Sequence, residues 1–280
     1  MTTPAAPPRP LLRAIELTVD FGPVRAVDGV SLDVAERELV GLIGPNGAGK
    51  TTTIDAMSGF VPHRGRVVLD GVDLSDLPPH ARARHGLVRT FQSLELFDDL
   101  TVRENCIVAA HPGGVRELLT DLVRPSRARD TAQVDWALDL LGLGPWAGEH
   151  PSSLPLGVRK LVAVARSLSS AGTAGATAPR VVLLDEPAAG LDSAESLALG
   201  ERLREVVAAG VSVLLVDHDM GLVLSVCDRL VVLDFGATIA QGTPGAVRDD
   251  PRVIAAYLGE HAVAAGGAVG GAAGAGGAGT

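Results

Sequence analysis

The chain has 280 residues, is 46% hydrophobic and 20% charged, and carries a formal net charge of −9. That balance suits one large α/β domain, or two small ones, with a sizeable buried core. An acidic chain has no global attraction for nucleic acid or an anionic membrane, so any nucleotide must be held by a local site and no nucleic-acid partner is expected.

Along the chain, residues 1–11 read as a flexible tail. Met1 to Pro10 is rich in Pro and Ala and has no apolar run, unlike a signal peptide. Strand-like runs follow at Leu12–Val19 and Val30–Val34, with a turn around Gly22-Pro23. Leu39–Ile43 is a buried-strand run. It leads into a Gly-rich loop and helix-permissive sequence to about Ser58. Arg66–Leu69 and Leu87–Thr90 read as further strands. From about Ser93 to Ala165 the pattern turns helical, near Val102–Ala110, Val115–Val123, Ala132–Leu141 and Val158–Ser169. Ser169–Pro179 is a loop by composition.

The last third alternates: strand Val181–Leu184, helix Ser193–Ala208, strand Val211–Val216, helix Met220–Val226, strand Leu230–Leu233. Strand–helix alternation with short connections predicts a parallel sheet covered by helices. Residues 261–280 are almost all Gly and Ala. They lack the Leu, Ile and Phe that favour insertion, so they read as a second flexible tail rather than a membrane span. Cys106 and Cys227 have no His or Cys at metal-ligand spacing, which fits a reducing compartment.

Gly44-Pro45-Asn46-Gly47-Ala48-Gly49-Lys50-Thr51-Thr52 fits the pattern G-x-x-x-x-G-K-[ST], after an apolar strand and before a helix. Glycines let backbone N–H groups curl around phosphate oxygens without Cβ clashes. The helix starting near Lys50 points its positive end at the same anion. Lys50 offers a point charge to the β/γ-phosphates, and Thr51 a hydroxyl ligand to Mg²⁺. Only two lysines occur in the chain, Lys50 and Lys160, which sharpens the signal.

Val181–Leu184 runs straight into Asp185-Glu186-Pro187. Ligands of parallel sheets sit beyond the C-terminal strand ends, so both carboxylates are expected to face the phosphate loop. Asp185 would hold Mg²⁺ and Glu186 would orient and polarise the attacking water.

With these motifs in this order, the sequence resembles the nucleotide-binding domain of ABC transporters over residues 12–260. The resemblance implies a P-loop NTPase core, a RecA-like parallel sheet with flanking helices. It adds an antiparallel β subdomain and an α-helical subdomain at about residues 93–165. Phe91-Gln92 looks like the Q-loop, whose Gln92 reaches Mg²⁺ and the attacking water. Gly190-Leu191-Asp192 looks like the D-loop, His218 like the switch histidine on the γ-phosphate, and Phe21 like the ring that stacks on adenine. The stretches Asp185–Asp192, His218-Asp219-Met220 and Ile254–Gly259 are closest to ATP-binding subunits of branched-chain amino acid importers. The implied partners are transmembrane permease subunits, a second ATPase subunit (identical or not) and, indirectly, a solute-binding protein. The implied cofactors are ATP and Mg²⁺, and the implied place is the cytoplasmic face of the cell membrane. Residues Ser93–Val108 would touch the permease.

The family signature, usually L-S-G-G-Q, falls on Leu154-Pro155-Leu156-Gly157-Val158, where only Leu154 and Gly157 match. Pro155 offers no hydroxyl to the partner-bound γ-phosphate, and Val158 cannot replace a polar Gln. A weaker ATP-bound closure at this signature is expected. The alternatives are an exporter of a lipid or other amphiphile, a soluble ABC ATPase, and an unrelated P-loop kinase or GTPase. Asn46 and Asn105 are the chain's two asparagines, and neither sits in the Asn-Lys-x-Asp that guanine recognition needs.

Overall fold

The computed structural model describes residues 10–90, 96–110, 131–170 and 179–257. Phe91, Gln92, the expected helix Val115–Val123, most of the expected loop before Pro179 and most of both tails lie outside these residues.

The chain opens as a hairpin of β1 (Pro10–Phe21) and β2 (Val24–Ala35), joined across Gly22-Pro23. Gly22 takes φ +59 there, a turn conformation that costs glycine nothing. β1 begins two residues inside the stretch expected to be a tail, because Pro10 already pairs with Ala35. β2 is longer than its apolar half, Val30–Val34, suggested. β3 (Leu39–Ile43) is buried at all five positions, and α1 (Lys50–Ser58) follows the Gly-rich loop. β4 (Arg64–Leu69) and β5 (Val72–Asp73) complete an antiparallel sheet of order β2-β1-β4-β5. A short helix, α2 (Pro79–Arg84), leads to β6 (Leu87–Arg89).

The helical layer has α3 (Val102–Ala110), α4 (Ala132–Leu140) and α5 (Leu156–Leu168). An ion pair from Arg103 to Asp135 joins α3 to α4, and the Gln133 amide donates to the Leu168 carbonyl at the end of α5. Asn105, fully buried, donates to the carbonyls of Phe97, Leu100 and Thr101 and so fixes the entry to α3.

The remainder alternates as expected: β7 (Val181–Asp185), α6 (Ser193–Ala208), β8 (Ser212–Val216), α7 (Met220–Val226) and β9 (Arg229–Asp234). Two elements that carry no clear apolar period follow, β10 (Ala237–Gly242) and α8 (Pro244–Arg248). The main sheet has the order β10-β9-β3-β8-β7-β6 and is parallel except for the β9–β10 edge pair.

Alternate residues of the parallel strands feed two separate cores, as the two-residue strand period requires. Leu39, Ile43, Val182, Leu184, Val213 and Leu215 pack with α3–α7. Val40, Leu42, Val181, Leu183, Leu214 and Val216 pack with α1 and the antiparallel sheet. Cys106 and Cys227 are buried free thiols, and burial pushes them up to about 11 and about 12.

Candidate functional site

Three neighbouring parallel strands end side by side. Leu42 of β3 and Asp185 of β7 both pair with Val216 of β8. The Gly-rich loop, the two acids and His218 therefore leave the sheet at the same edge, where ligands of parallel sheets sit.

The loop is shaped from behind. Gly44, Gly47 and Gly49 have φ of +151°, +79° and +95°. A Cβ on Gly44 would lie 2.1 Å from the Leu233 carbonyl oxygen, and one on Gly49 would lie 2.5 Å from that of Ala26. Gly47 has open space around it, so its role is conformational. The β9–β10 turn braces this arrangement. Gly236 N donates to the Ala48 carbonyl at 3.1 Å, and Asp28 N donates to the Gly236 carbonyl at 2.8 Å. The antiparallel sheet and the main sheet thus meet behind the loop.

Lys50 opens α1 with its side chain turned inward. Its Nζ donates to the carbonyls of Gly44 and Pro45 at 2.7 and 2.8 Å. The ammonium stands where a bound anion could replace carbonyl partners with charged ones, which make stronger bonds. Asn46, Gly47, Ala48, Gly49, Lys50, Thr51 and Thr52 line a cleft of about 230 Å³ with Ala26 and Glu186.

Thr51 Oγ1 lies 3.5 Å from Asp185 Oδ1. Two hard oxygens at one site suit Mg²⁺, which keeps several waters and takes phosphate oxygens besides one or two protein ligands. Among the described residues no cluster of three or more His, Cys, Asp or Glu could hold a metal by itself. Asp185 is 1% exposed and salt-bridged to Arg89 at 2.9 Å. Burial pushes its carboxyl above the ordinary value, against the pull of that guanidinium.

Glu186 has φ +48°, a left-handed conformation that costs a non-glycine residue of order 1 kcal/mol. Its amide is anchored to the Val216 carbonyl at 2.7 Å. His218 is 62% exposed, and its Nδ1 lies 3.8 Å from Glu186 Oε2, adjacent but beyond hydrogen-bond distance. Phe21 is 52% exposed at the β1–β2 turn, which leaves a ring free to stack.

Leu154, Gly157 and Asp192 are not among the residues lining this cleft. A Cβ on Gly157 would meet Glu195 and Leu191, and one on Gly190 would meet Leu156. The Asp192 carboxylate caps α6, accepting from Ala194 N and Glu195 N in a capping box.

Three residues were missed by the sequence reading. Asp217, 1% exposed, accepts hydrogen bonds from the Ala188 and Asp219 amides at 3.0 Å each. Arg89 bridges Asp185 and Asp55. Lys160 in α5 is buried, and burial pulls its pKa down while Asp217 and Glu186 oppose that shift. For Asp217, its place beside His218 was the one available hint. Arg89 makes its contacts with residues remote in sequence, and nothing in the sequence marks Lys160 as buried.

The sequence profile described as ABC transporter matches residues 27–189, and that described as branched-chain amino acid ATP-binding cassette transporter matches residues 237–263. The high-affinity branched-chain amino acid transport ATP-binding protein BraF of Pseudomonas aeruginosa is 41% identical over 263 residues, covering 90% of this chain and 99% of BraF. Its counterpart LivG of Escherichia coli K12 is 39% identical over 259 residues, with 90% and 99% covered. The lipopolysaccharide export system ATP-binding protein LptB of Haemophilus influenzae is 36% identical over 252 residues, with 90% and 98% covered. The crystal structure of an ATP-binding cassette of an ABC transporter in its ADP conformation superimposes with a TM-score of 0.76 at 30% identity, covering 90% of this chain and 100% of that one.

Proposed function

The chain belongs to the ABC transporter family as an ATP-hydrolysing subunit, and from that premise we propose that it powers import of branched-chain or related amino acids through a separate permease. The observation that carries the chemistry is that Lys50, Thr51 and Glu186 line one cleft at neighbouring strand ends, with Asp185 3.5 Å from Thr51. The cargo is supported by the likeness to BraF and LivG and by the C-terminal match at residues 237–263.

In this reading, amides of residues 44–52 and the Lys50 ammonium cradle the ATP phosphates, and Phe21 stacks on adenine. Thr51 and Asp185 hold Mg²⁺, which when bound neutralises charge developing on the transferred phosphoryl group. Glu186 orients the attacking water and His218 contacts the γ-phosphate, with Gln92 reaching the same site. A second ATPase subunit, identical or not, supplies Leu154, Gly157 and the Asp192 loop across an ATP sandwich. ATP closes the pair because it binds the closed state better.

Among the described residues no helix is long and apolar enough to cross a membrane, so the transport path belongs to a partner. Residues 93–108 would touch a cytoplasmic helix of that permease, and an apolar groove of about 330 Å³ lined by Phe60, Ala83, Leu87, Val88 and Arg89 lies beside the end of α1. The work would be done at the cytoplasmic face of the cell membrane, with a solute-binding protein delivering cargo outside.

The test is reconstitution of the chain with its permease and solute-binding protein in vesicles. ATP-driven uptake of leucine, isoleucine or valine is expected. ATP-driven efflux of a lipid, with no amino acid uptake, would favour the exporter reading that the likeness to LptB supports.

A further inference from the structure

We infer that Arg89 is a positioning residue that holds the Asp185 carboxylate in place for the metal and is itself held, on its other side, by Asp55 and the Phe60 ring. This rests on the ATPase reading above.

Arg89 is the last residue of β6, one strand outward from β7, and its side chain is 7% exposed. Its guanidinium reaches groups in different directions. Nη2 donates to Asp185 Oδ2 at 2.9 Å, Nη1 pairs with Asp55 on α1, and the carbon centre lies 5.7 Å from the Phe60 ring centroid, within cation–π range.

The consequence for Asp185 is a division of labour between its two oxygens. Oδ2 is taken by Arg89, while Oδ1 is the oxygen facing Thr51 Oγ1. A carboxylate anchored on one oxygen by a charged fork cannot spin freely, so its second oxygen stays aimed at the metal position. The same guanidinium offsets the cost of burying that carboxylate beside α1.

The consequence for the groove follows from Phe60. Its ring is half exposed, lines the 330 Å³ groove with Arg89 and also lies beneath the guanidinium. Whatever fills the groove presses on Phe60 and so bears on Arg89, two side chains from the metal.

The test uses the full chain, Mn²⁺ as the probe and a non-hydrolysable ATP analogue, with bound Mn²⁺ read by electron paramagnetic resonance. Analogue binding without metal is measured alongside, and melting temperature checks the fold. Arg89→Met is expected to weaken Mn²⁺ affinity about tenfold, the loss of one charge-assisted hydrogen bond, with less than about a twofold change in metal-free analogue binding. Arg89→Lys should recover part of the loss. Phe60→Leu should weaken Mn²⁺ binding about two- to fivefold through the lost ring face.

Unchanged Mn²⁺ affinity in a folded Arg89→Met chain, or an equal loss of metal-free binding, would overturn the positioning role. Unchanged affinity in Phe60→Leu would overturn the link to the groove. Should Arg89→Met not fold, Asp55→Asn loosens the guanidinium while leaving its bond to Asp185, and an unaltered Mn²⁺ affinity there counts against the inference. If the unmodified chain binds no analogue at all, the ATPase reading itself fails, which is a different result.

Discussion

The carboxylate of Asp217 accepts a hydrogen bond from the Ala188 amide at 3.0 Å, tying the loop after β8 to the loop after β7. The other oxygen accepts from Asp219 N, so both are used in a fully buried place. Glu186 and His218 flank this joint, and their spacing depends on it.

Asp217→Asn has one acceptor where two are needed and leaves a buried amide without its partner. It should lower unfolding free energy by about 1–3 kcal/mol and reduce ATP turnover as well. Urea denaturation and steady-state rates check this. Wild-type stability would mean that the joint is not holding the loops.

Lys50→Ala removes the ammonium that faces the Gly44 and Pro45 carbonyls. Hydrogen bonds to charged groups contribute about 1.5–3 kcal/mol each, so ATP affinity should fall about tenfold to a hundredfold or more. Calorimetric titration measures it. Retained affinity would argue against the loop as the phosphate site.

Two glycines of the loop should separate folding from binding. Gly44→Ala drives a Cβ to 2.1 Å from a backbone oxygen and should cost at least about 3 kcal/mol of stability. Gly47→Ala meets no protein atom and should cost only about 1 kcal/mol for its left-handed φ. It should nevertheless weaken ATP binding, because the added methyl stands at the exposed lip of the cleft. Thermal melts paired with nucleotide titration distinguish the two.

Pro155 sits at the N-cap of α5 with extended dihedrals and makes no side-chain capping bond. Pro155→Ser should add about 0.5–2 kcal/mol to stability as a helix cap, worth roughly 2–4 °C of melting temperature per kcal/mol. It should also tighten ATP-dependent pairing of Glu186→Gln subunits by about tenfold or more, through a new hydrogen bond to the partner's γ-phosphate. Sedimentation with and without ATP reads the second effect. A stabilised chain with unchanged pairing would separate the cap from the signature role.

Several elements were legible from the sequence, and α3, α6 and α7 match their expected bounds. The gathering of Lys50, Thr51, Asp185 and Glu186 was legible too, because parallel strands deliver their C-terminal loops to one edge. What escaped depends on contacts remote in sequence. The short α2 has one buried residue, Arg82, 2% exposed, whose guanidinium donates to the carbonyls of Ala56, Met57, Ser75 and Leu77. A buried arginine that satisfies the end of another helix leaves no periodic trace. β10 is a half-exposed edge strand, and its pairing with β9 follows from the Phe235-Gly236 turn rather than from hydrophobicity. Arg89 and Asp217 look like ordinary charges until their burial is known.

Glu186, the acid beside Asp185, should activate water against a phosphate held by the Lys50 loop. Single-turnover hydrolysis of ATP by the purified chain is to be compared with that of Glu186→Gln at saturating ATP. Bound ATP with turnover at least about a hundredfold slower in the variant is expected, the loss that follows removal of a positioned base. Equal rates in the two proteins would remove Glu186 from the chemistry.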